Sequence, residues 1–405
     1  MPNPINQKNI LLGVTGSIAA YKAAELASRL HQAGAVVNVF LTQSAERFIS
    51  PLTFQSVTGR KCYTDADLWG GEGHVVHVQL GHSTDLLLIA PASANTIAKL
   101  AHGIADNLVS ITALAATCPI FIAPAMDAGM YSHAATQANI KTLQERGVTF
   151  IGPEVGHLAS GLEGLGRMTE PAEIINHIRW RIAQSGPLKG KKVLVTAGGT
   201  QEPIDPVRVL SNRSSGKQGY ALAQAALDTG AQVVLITAPT ALTLPTGAQV
   251  VTVQTAEEMK LAVLAQINDV HVLLMAAAVA DFRPSKAAAE KIKKDSKLTT
   301  IELETTADIL IEVARMKPKV NPHLRVVGFA AESELLLKNA RKKMEDKKLD
   351  MIVANDITAT QAGFGTETNQ VTLLFADGKC EELPLLPKSE VAEKIIEYLI
   401  GWFRS

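Results

Sequence analysis

One pattern constrains the fold more than any other: a strand, a loop of small residues and a helix follow one another at residue 10 and again at residue 192. Residues 10–14 form a short apolar run, then Thr15, Gly16 and Ser17, then a helical pattern over 18–32. Gly34 stops that helix, and 36–41 reads as the next strand. The second opening is the apolar run 192–196, the loop Ala197, Gly198, Gly199 and Thr200, a helix over about 219–228, Gly230, and a strand over 232–237. Each is a βαβ unit by its change of hydrophobic period. Further strands read at 85–90, 119–123 and 148–151, and in the second half at 272–275, 326–329 and 351–354. Strands alternating with helices imply doubly wound, mostly parallel α/β sheets in both halves. Residues 371–375 and 379–383, joined through Ala376, Asp377 and Gly378, read as a late β-hairpin. No fixed short repeat accompanies the doubled opening.

A chain of 405 residues exceeds one ordinary core. The stretch 184–191, rich in Gly, Ser, Pro and Lys, has linker composition, so the expected domains are 1–185 and 186–405. Lys+Arg and Asp+Glu both number 39, which leaves no global basic field to hold a nucleic acid. The first ten residues lack a signal peptide's basic start and apolar centre, and no apolar run approaches a membrane span, so a cytoplasmic protein with no membrane partner is expected. Cys62, Cys118 and Cys380 show no CxxC spacing, which suggests free thiols.

Ligands of open parallel sheets gather beyond the carboxyl ends of the strands. In the first half those ends carry Thr15 to Ser17, Thr42 to Ser44, Pro91 to Thr96 and Pro124 to Asp127. Singly, such hydroxyl and amide residues are ordinary helix caps. Together on one edge they can cradle a phosphate with side chains and helix N–H groups. Gly13 to Gly16 does not form a GxGxxG fingerprint, which disfavours a nicotinamide dehydrogenase.

The motifs Gly16-Ser-Ile-Ala-Ala-Tyr-Lys22, Pro91-Ala-Ser-Ala-Asn-Thr96, Gly103-Ile-Ala-Asp-Asn-Leu108 and Pro124-Ala-Met-Asp-Ala-Gly-Met-Tyr131 resemble those of the flavin-containing cysteine decarboxylases. That resemblance implies a flavodoxin-like domain binding FMN, with its active site at a trimer interface. Ser17, Thr42, Ser93, Asn95, Asp106 and Met130 become the implied cofactor contacts, and His77 the catalytic histidine. A lone histidine on an alternating apolar segment is otherwise most often structural, and periodicity does not choose between His77 and its neighbours His74 and His82. A flavin supplies what this decarboxylation needs: oxidation of the thiol-bearing carbon gives an electron sink one atom from the departing carboxylate. His77 would act as acid–base partner.

Two positions depart from the family's pattern. Asp127 stands where the family usually has Asn, and Ser160, in the loop 156–162, where most members have Cys. An ionised Asp127 would repel a substrate carboxylate unless turned toward another group, and a hydroxyl is a far poorer acid than a thiol. The chain is then either a decarboxylase with rearranged proton delivery or a silent flavin-binding head. The retained flavin motifs, His77 and the Gly164-Leu-Gly-Arg-Met168 stretch favour activity.

In the second half, residues 196–219 place small and polar groups after a strand and ahead of a helix, a candidate anion-binding loop. The basic runs 290–294 and Lys342 to Lys348 would ordinarily be solvated faces. With Ala277 to Pro284 and Gly328 to Glu332 they resemble the phosphopantothenate–cysteine ligase domain. The two halves together resemble the bifunctional coenzyme A biosynthesis proteins. This implies ligation of 4′-phosphopantothenate to cysteine through an acyl-cytidylate, with CTP and magnesium, a nucleoside monophosphate being a better leaving group than oxide. Asn212 would hold the acyl intermediate, Lys291 support its formation, and Asp281 contact the nucleotide or its metal. Ala277, Ala278 and Phe329 would frame the base, while Ala307, Asp308, Ile309, Leu310, Lys343 and Lys347 would help hold the triphosphate. Trimeric contacts through the first half and dimeric contacts through the second would close a dodecamer. The competing reading is an active ligase whose first half only binds flavin and assembles.

Overall fold

The computed structural model describes residues 3–69, 76–293, 300–332, 336–356 and 366–404. It divides into two compact units, Pro2–Ile182 and Ala183–Ser405.

The first unit is built on a six-stranded sheet. Its order is Cys62–Tyr63, Val36–Leu41, Asn9–Val14, Leu86–Ala92, Ile120–Pro124 and Thr149–Phe150, every pair parallel. This is the doubly wound, flavodoxin-like α/β class expected, with its switch point between Asn9–Val14 and Leu86–Ala92. All seven residues of Leu86–Ala92 are buried, because helices cover both faces of the sheet. One face packs Leu12, Val14 and Leu88 against Leu26 and Leu30 of the Ala20–Gln32 helix, and the other packs Leu11, Leu87 and Ile89 against Ile97 and Val109. Replacing a fully buried leucine such as Leu88 by alanine costs about 2–5 kcal/mol.

The second unit carries an eight-stranded sheet in the order Gln249–Thr252, Gln232–Thr237, Lys192–Ala197, Val272–Met275, Arg325–Glu332, Met351–Asp356, Val371–Phe375 and Cys380–Glu382. Pairing is parallel as far as Met351–Asp356, and the last two strands are antiparallel. Those two form the late hairpin, turning at Gly378 with φ +91. The switch point lies between Lys192–Ala197 and Val272–Met275.

Three features differ from the sequence reading. The segment carrying His77 is the helix Val76–His82, not an extended one, because alternation over so few residues does not separate the two periods. Glu154–His157 and Glu163–Arg167 pair as an antiparallel hairpin that carries the Ser160 loop at its tip. Gln249–Thr252 adds an edge strand.

Candidate functional site

Three strand-end loops of the first unit are tied into one floor. Thr15 Oγ1 donates to the Pro91 carbonyl at 2.8 Å and accepts from the Ser93 N–H at 2.9 Å. Gly16 lies against the Thr42–Ser44 turn so closely that a Cβ there would sit 2.6 Å from Ser44 Cβ, so only glycine fits. Ser93 caps the Ala94–His102 helix, and Thr42 caps the next turn by accepting from the Ala45 N–H at 3.2 Å. Over this floor opens a cavity of about 520 Å³, lined among others by Ser17, Ser93, Ala94, Met126, Asp127, Met130, His157, Leu158 and Ser160.

The two departures from the family pattern face each other there. Ser160 Oγ donates to Asp127 Oδ2 at 2.7 Å, and the Gly129 N–H donates to Asp127 Oδ1 at 2.9 Å. The Ser160 hydroxyl first, and the Gly129 N–H second, hold the Asp127 carboxyl below its ordinary range. Asp127 is thus turned toward another group and stays ionised. The cations of the same wall are already paired: Lys22 Nζ donates to the Met168 carbonyl at 3.0 Å and to Glu170 Oε1 at 2.8 Å, and Arg167 pairs with the same carboxylate. Among the described lining residues, hydroxyls, helix N–H groups and His157 are then left to meet an anion.

In the second unit, a cavity of about 660 Å³ opens at the carboxyl ends of the strands around the switch point. The Lys217–Leu227 helix aims its first turn into it. Gly219 permits this, since a Cβ there would lie 2.6 Å from Ala197 Cβ and 2.8 Å from the Thr196 oxygen. Asn212 Nδ2 donates to the Val279 carbonyl at 3.0 Å, fixing its amide against the Ala277–Val279 loop. Asp308 caps the Ile309–Val320 helix through the Leu310 and Ile311 N–H groups and pairs with Lys347 at 2.7 Å. Two buried acceptors on the cavity wall, Asn355 Oδ1 and Asn369 Oδ1, have no partner among the described residues. Gln218 Nε2 donates to the Lys388 carbonyl at 3.2 Å, so its Oε1 faces the Asn369 amide group and leaves Asn369 Oδ1 for a ligand donor.

Comparison with known proteins now decides the family. The family described as "Flavoprotein" matches residues 2–183, and "DNA/pantothenate metabolism flavoprotein C-terminal domain" matches 188–402. A coenzyme A biosynthesis bifunctional protein CoaBC of Bacillus subtilis (strain 168) is 46% identical over 97% of this chain and 97% of its own length. The chain belongs to the CoaBC family. A CoaBC of Escherichia coli (strain K12) is 40% identical over 97% of both chains. A crystal structure of a CoaBC C-terminal domain is 41% identical, covering 54% of this chain and 99% of that one with a TM-score of 0.47.

The sites expected for a CoaBC protein fall into three groups. Ser17, Ser93, Met130, Asp127 and Ser160 share the first cavity. Asn212, Ala277, Ala278, Asp281, Ala307, Asp308, Ile309, Leu310, Phe329, Lys343 and Lys347 share the second. The lining residues do not include Thr42, Asn95, Asp106, His77 or Lys291. Thr42 caps a helix, Asn95 is exposed, and Asp106 is paired with Lys99 at 2.8 Å, which lowers its carboxyl's affinity for protons. His77 is half-buried, its Nδ1 enclosed without a partner among the described residues; its competitor His74 lies outside them. Lys291 is exposed on the segment between the strands Phe282–Pro284 and Leu303–Thr305. The strand end carrying Asn355 also resembled the ligase domain in sequence; His157, the Lys22–Glu170 pair and the Asn369 acceptor were missed. His157 was legible only as a neighbour of Ser160.

Proposed function

We propose that this chain catalyses two successive steps of coenzyme A biosynthesis: CTP-dependent ligation of 4′-phosphopantothenate to cysteine, then FMN-dependent decarboxylation of the product to 4′-phosphopantetheine. The observation that carries the reading is the gathering of Asn212, Ala277, Asp281, Phe329, Lys343 and Lys347 around one cavity. Likeness to bifunctional relatives along both halves favours two working heads over a silent flavin-binding one.

In the ligase half, the first-turn N–H groups of the Lys217–Leu227 helix, with Lys343 and Lys347, would neutralise phosphate charge as the acyl-cytidylate forms. Asn212, with its amide fixed by the Val279 carbonyl, would orient the acyl group, and Lys291 would support its formation. No cluster of three or more His, Cys, Asp or Glu side chains among the described residues could hold a metal alone. Magnesium therefore fits as an ion carried by the triphosphate, with Asp281 as the protein oxygen.

In the decarboxylase half, Ser17, Ser93 and helix N–H groups suit a phosphate, and Met126, Met130 and Leu158 give an apolar wall for a flat ring, so the residues fit FMN. Bound there, FMN would supply a two-electron acceptor and donor for the thiol-bearing carbon. The hydrogen bond from Ser160 leaves Asp127 facing the hydroxyl, which would lessen its repulsion of a substrate carboxylate. His77 lies outside its own chain's cavity, an arrangement consistent with its supply to a neighbouring protomer at a trimer interface, within the proposed dodecamer. Small-molecule substrates suit an enzyme of the cytoplasm; no helix among the described residues is long and apolar enough to cross a membrane.

The test pairs two variants. Lys291→Gln should strongly reduce CTP-dependent pyrophosphate release, and His77→Asn should abolish carbon dioxide release from 4′-phosphopantothenoylcysteine while bound flavin keeps the protein yellow. Unchanged rates in both would refute the assignment.

A further inference from the structure

Asp205 sits in the turn between the paired strands Gln201–Pro203 and Val209–Ser211, and its side chain is 0% exposed. Its Oδ1 accepts from the Val207 and Arg208 N–H groups, each at 2.8 Å, and so closes the turn locally. Its Oδ2 accepts from Arg208 Nη1 at 2.9 Å and from the Ile292 N–H at 3.2 Å, across 87 positions of sequence. The Arg208 guanidinium then donates to the Ile292 carbonyl at 3.2 and 3.3 Å. A third tie, from the Ala288 N–H to the Ile204 carbonyl at 2.9 Å, holds the same segment to the same turn. Burial alone would raise the proton affinity of Asp205, but the N–H groups of Val207, Ile292 and Arg208 outweigh it and keep the carboxyl below its ordinary range.

The two oxygens have separable tasks. The turn needs only the Oδ1 acceptor, which an asparagine would supply equally well. What a carboxylate adds is the second acceptor, and that one reaches the residue next to Lys291. Lys291 itself is exposed, with a long and flexible side chain, so the position of its charge depends on how firmly its backbone is held.

We infer that Asp205 is a positioning residue for the ligase step: together with Arg208 it clamps both hydrogen-bonding groups of Ile292 and fixes the backbone that carries Lys291. This rests on the reading of Lys291 as a group of the ligase reaction.

Asp205→Asn separates the two tasks, because the amide keeps the turn and loses the acceptor for Ile292 and Arg208. In the full-length protein, hydrogen exchange of the Ile292 amide should quicken by about tenfold or more, since a hydrogen bond to a charged group is lost. With CTP, 4′-phosphopantothenate and cysteine, kcat for pyrophosphate release should fall about 10- to 100-fold. KM for CTP should stay within about threefold, because the groups lining the nucleotide cavity are untouched; a general loss of structure would move both. Ile292→Pro, which removes the loop's own N–H and leaves the turn intact, should reproduce the kcat loss. Unmoved exchange in Asp205→Asn, or an unmoved kcat in both variants beside an active parent, overturns the positioning role alone. Absence of pyrophosphate release by the parent protein overturns the ligase reading itself and the positioning role with it.

Discussion

Gly219 gives a prediction whose sign depends on the packing. In an ordinary helix, Gly→Ala stabilises by about 0.8–1 kcal/mol, because glycine loses more backbone freedom on folding. At Gly219 the added methyl would lie 2.6 Å from Ala197 Cβ, 2.8 Å from the Thr196 oxygen and 3.0 Å from Ala197 Cα. Two of these are backbone atoms of a buried strand, so the helix must move as a body, and overpacking of this kind costs about 1–3 kcal/mol. Contacts this close with rigid backbone put the cost in the upper part of that range, about 2–3 kcal/mol, so packing outweighs propensity for a net loss of about 1–2 kcal/mol. For a unit of this size that lowers Tm by about 2–8 °C. Gly401, in the Lys388–Trp402 helix, is the control: nothing lies within 4 Å of a Cβ there, so Gly401→Ala should raise Tm by a few degrees at most, about 4 °C. Differential scanning calorimetry of both variants reads the two signs. A Tm for Gly219→Ala at or above that of the parent would refute the close helix–strand approach on which the shape of the second unit's cavity depends.

Other predictions follow from the same contacts. Asp308→Ala removes both the cap of the Ile309–Val320 helix and the partner of Lys347, and should cost about 0.5–2 kcal/mol by chemical denaturation. Ser160→Ala should let the Asp127 carboxyl rise toward its ordinary value of 3.8, seen by carbon-detected NMR titration. The sign is fixed: a depressed folded-state carboxyl contributes stability above its unfolded pKa and loses it as pH falls through the folded value, so the parent keeps this contribution to lower pH than the variant. Burial, with Asp67 and Glu46 adding to it, pushes the Cys62 thiol up to about 12, so at pH 8 iodoacetamide should label exposed Cys380 and leave Cys62 untouched until the chain unfolds.

Much of the scaffold was legible because parallel strands covered on both faces read as unbroken apolar runs, as in Leu86–Ala92, and because small residues must follow them where backbone meets ligand. Ser17, Ser93 and Asp127 follow apolar runs by that logic, whereas Asp281, Lys343 and Lys347 stood out only by family resemblance, and the cavities gather each set. The Glu154–His157 and Glu163–Arg167 hairpin was not legible, since its glycines interrupt any alternation. The contact between Ser160 and Asp127 spans 33 positions and the Lys22–Glu170 pair spans 148, and neither leaves a periodic trace in sequence. In sequence Asp205 is one polar residue of the candidate anion-binding stretch 196–219; only the structure joins it to Ile292.

The most direct measurement uses cysteine labelled at its carboxyl carbon, incubated with the protein, 4′-phosphopantothenate and CTP. The account predicts labelled carbon dioxide in step with pyrophosphate, and none when CTP is left out. Pyrophosphate without labelled carbon dioxide would contradict the decarboxylase half, and absence of pyrophosphate would contradict the ligase half.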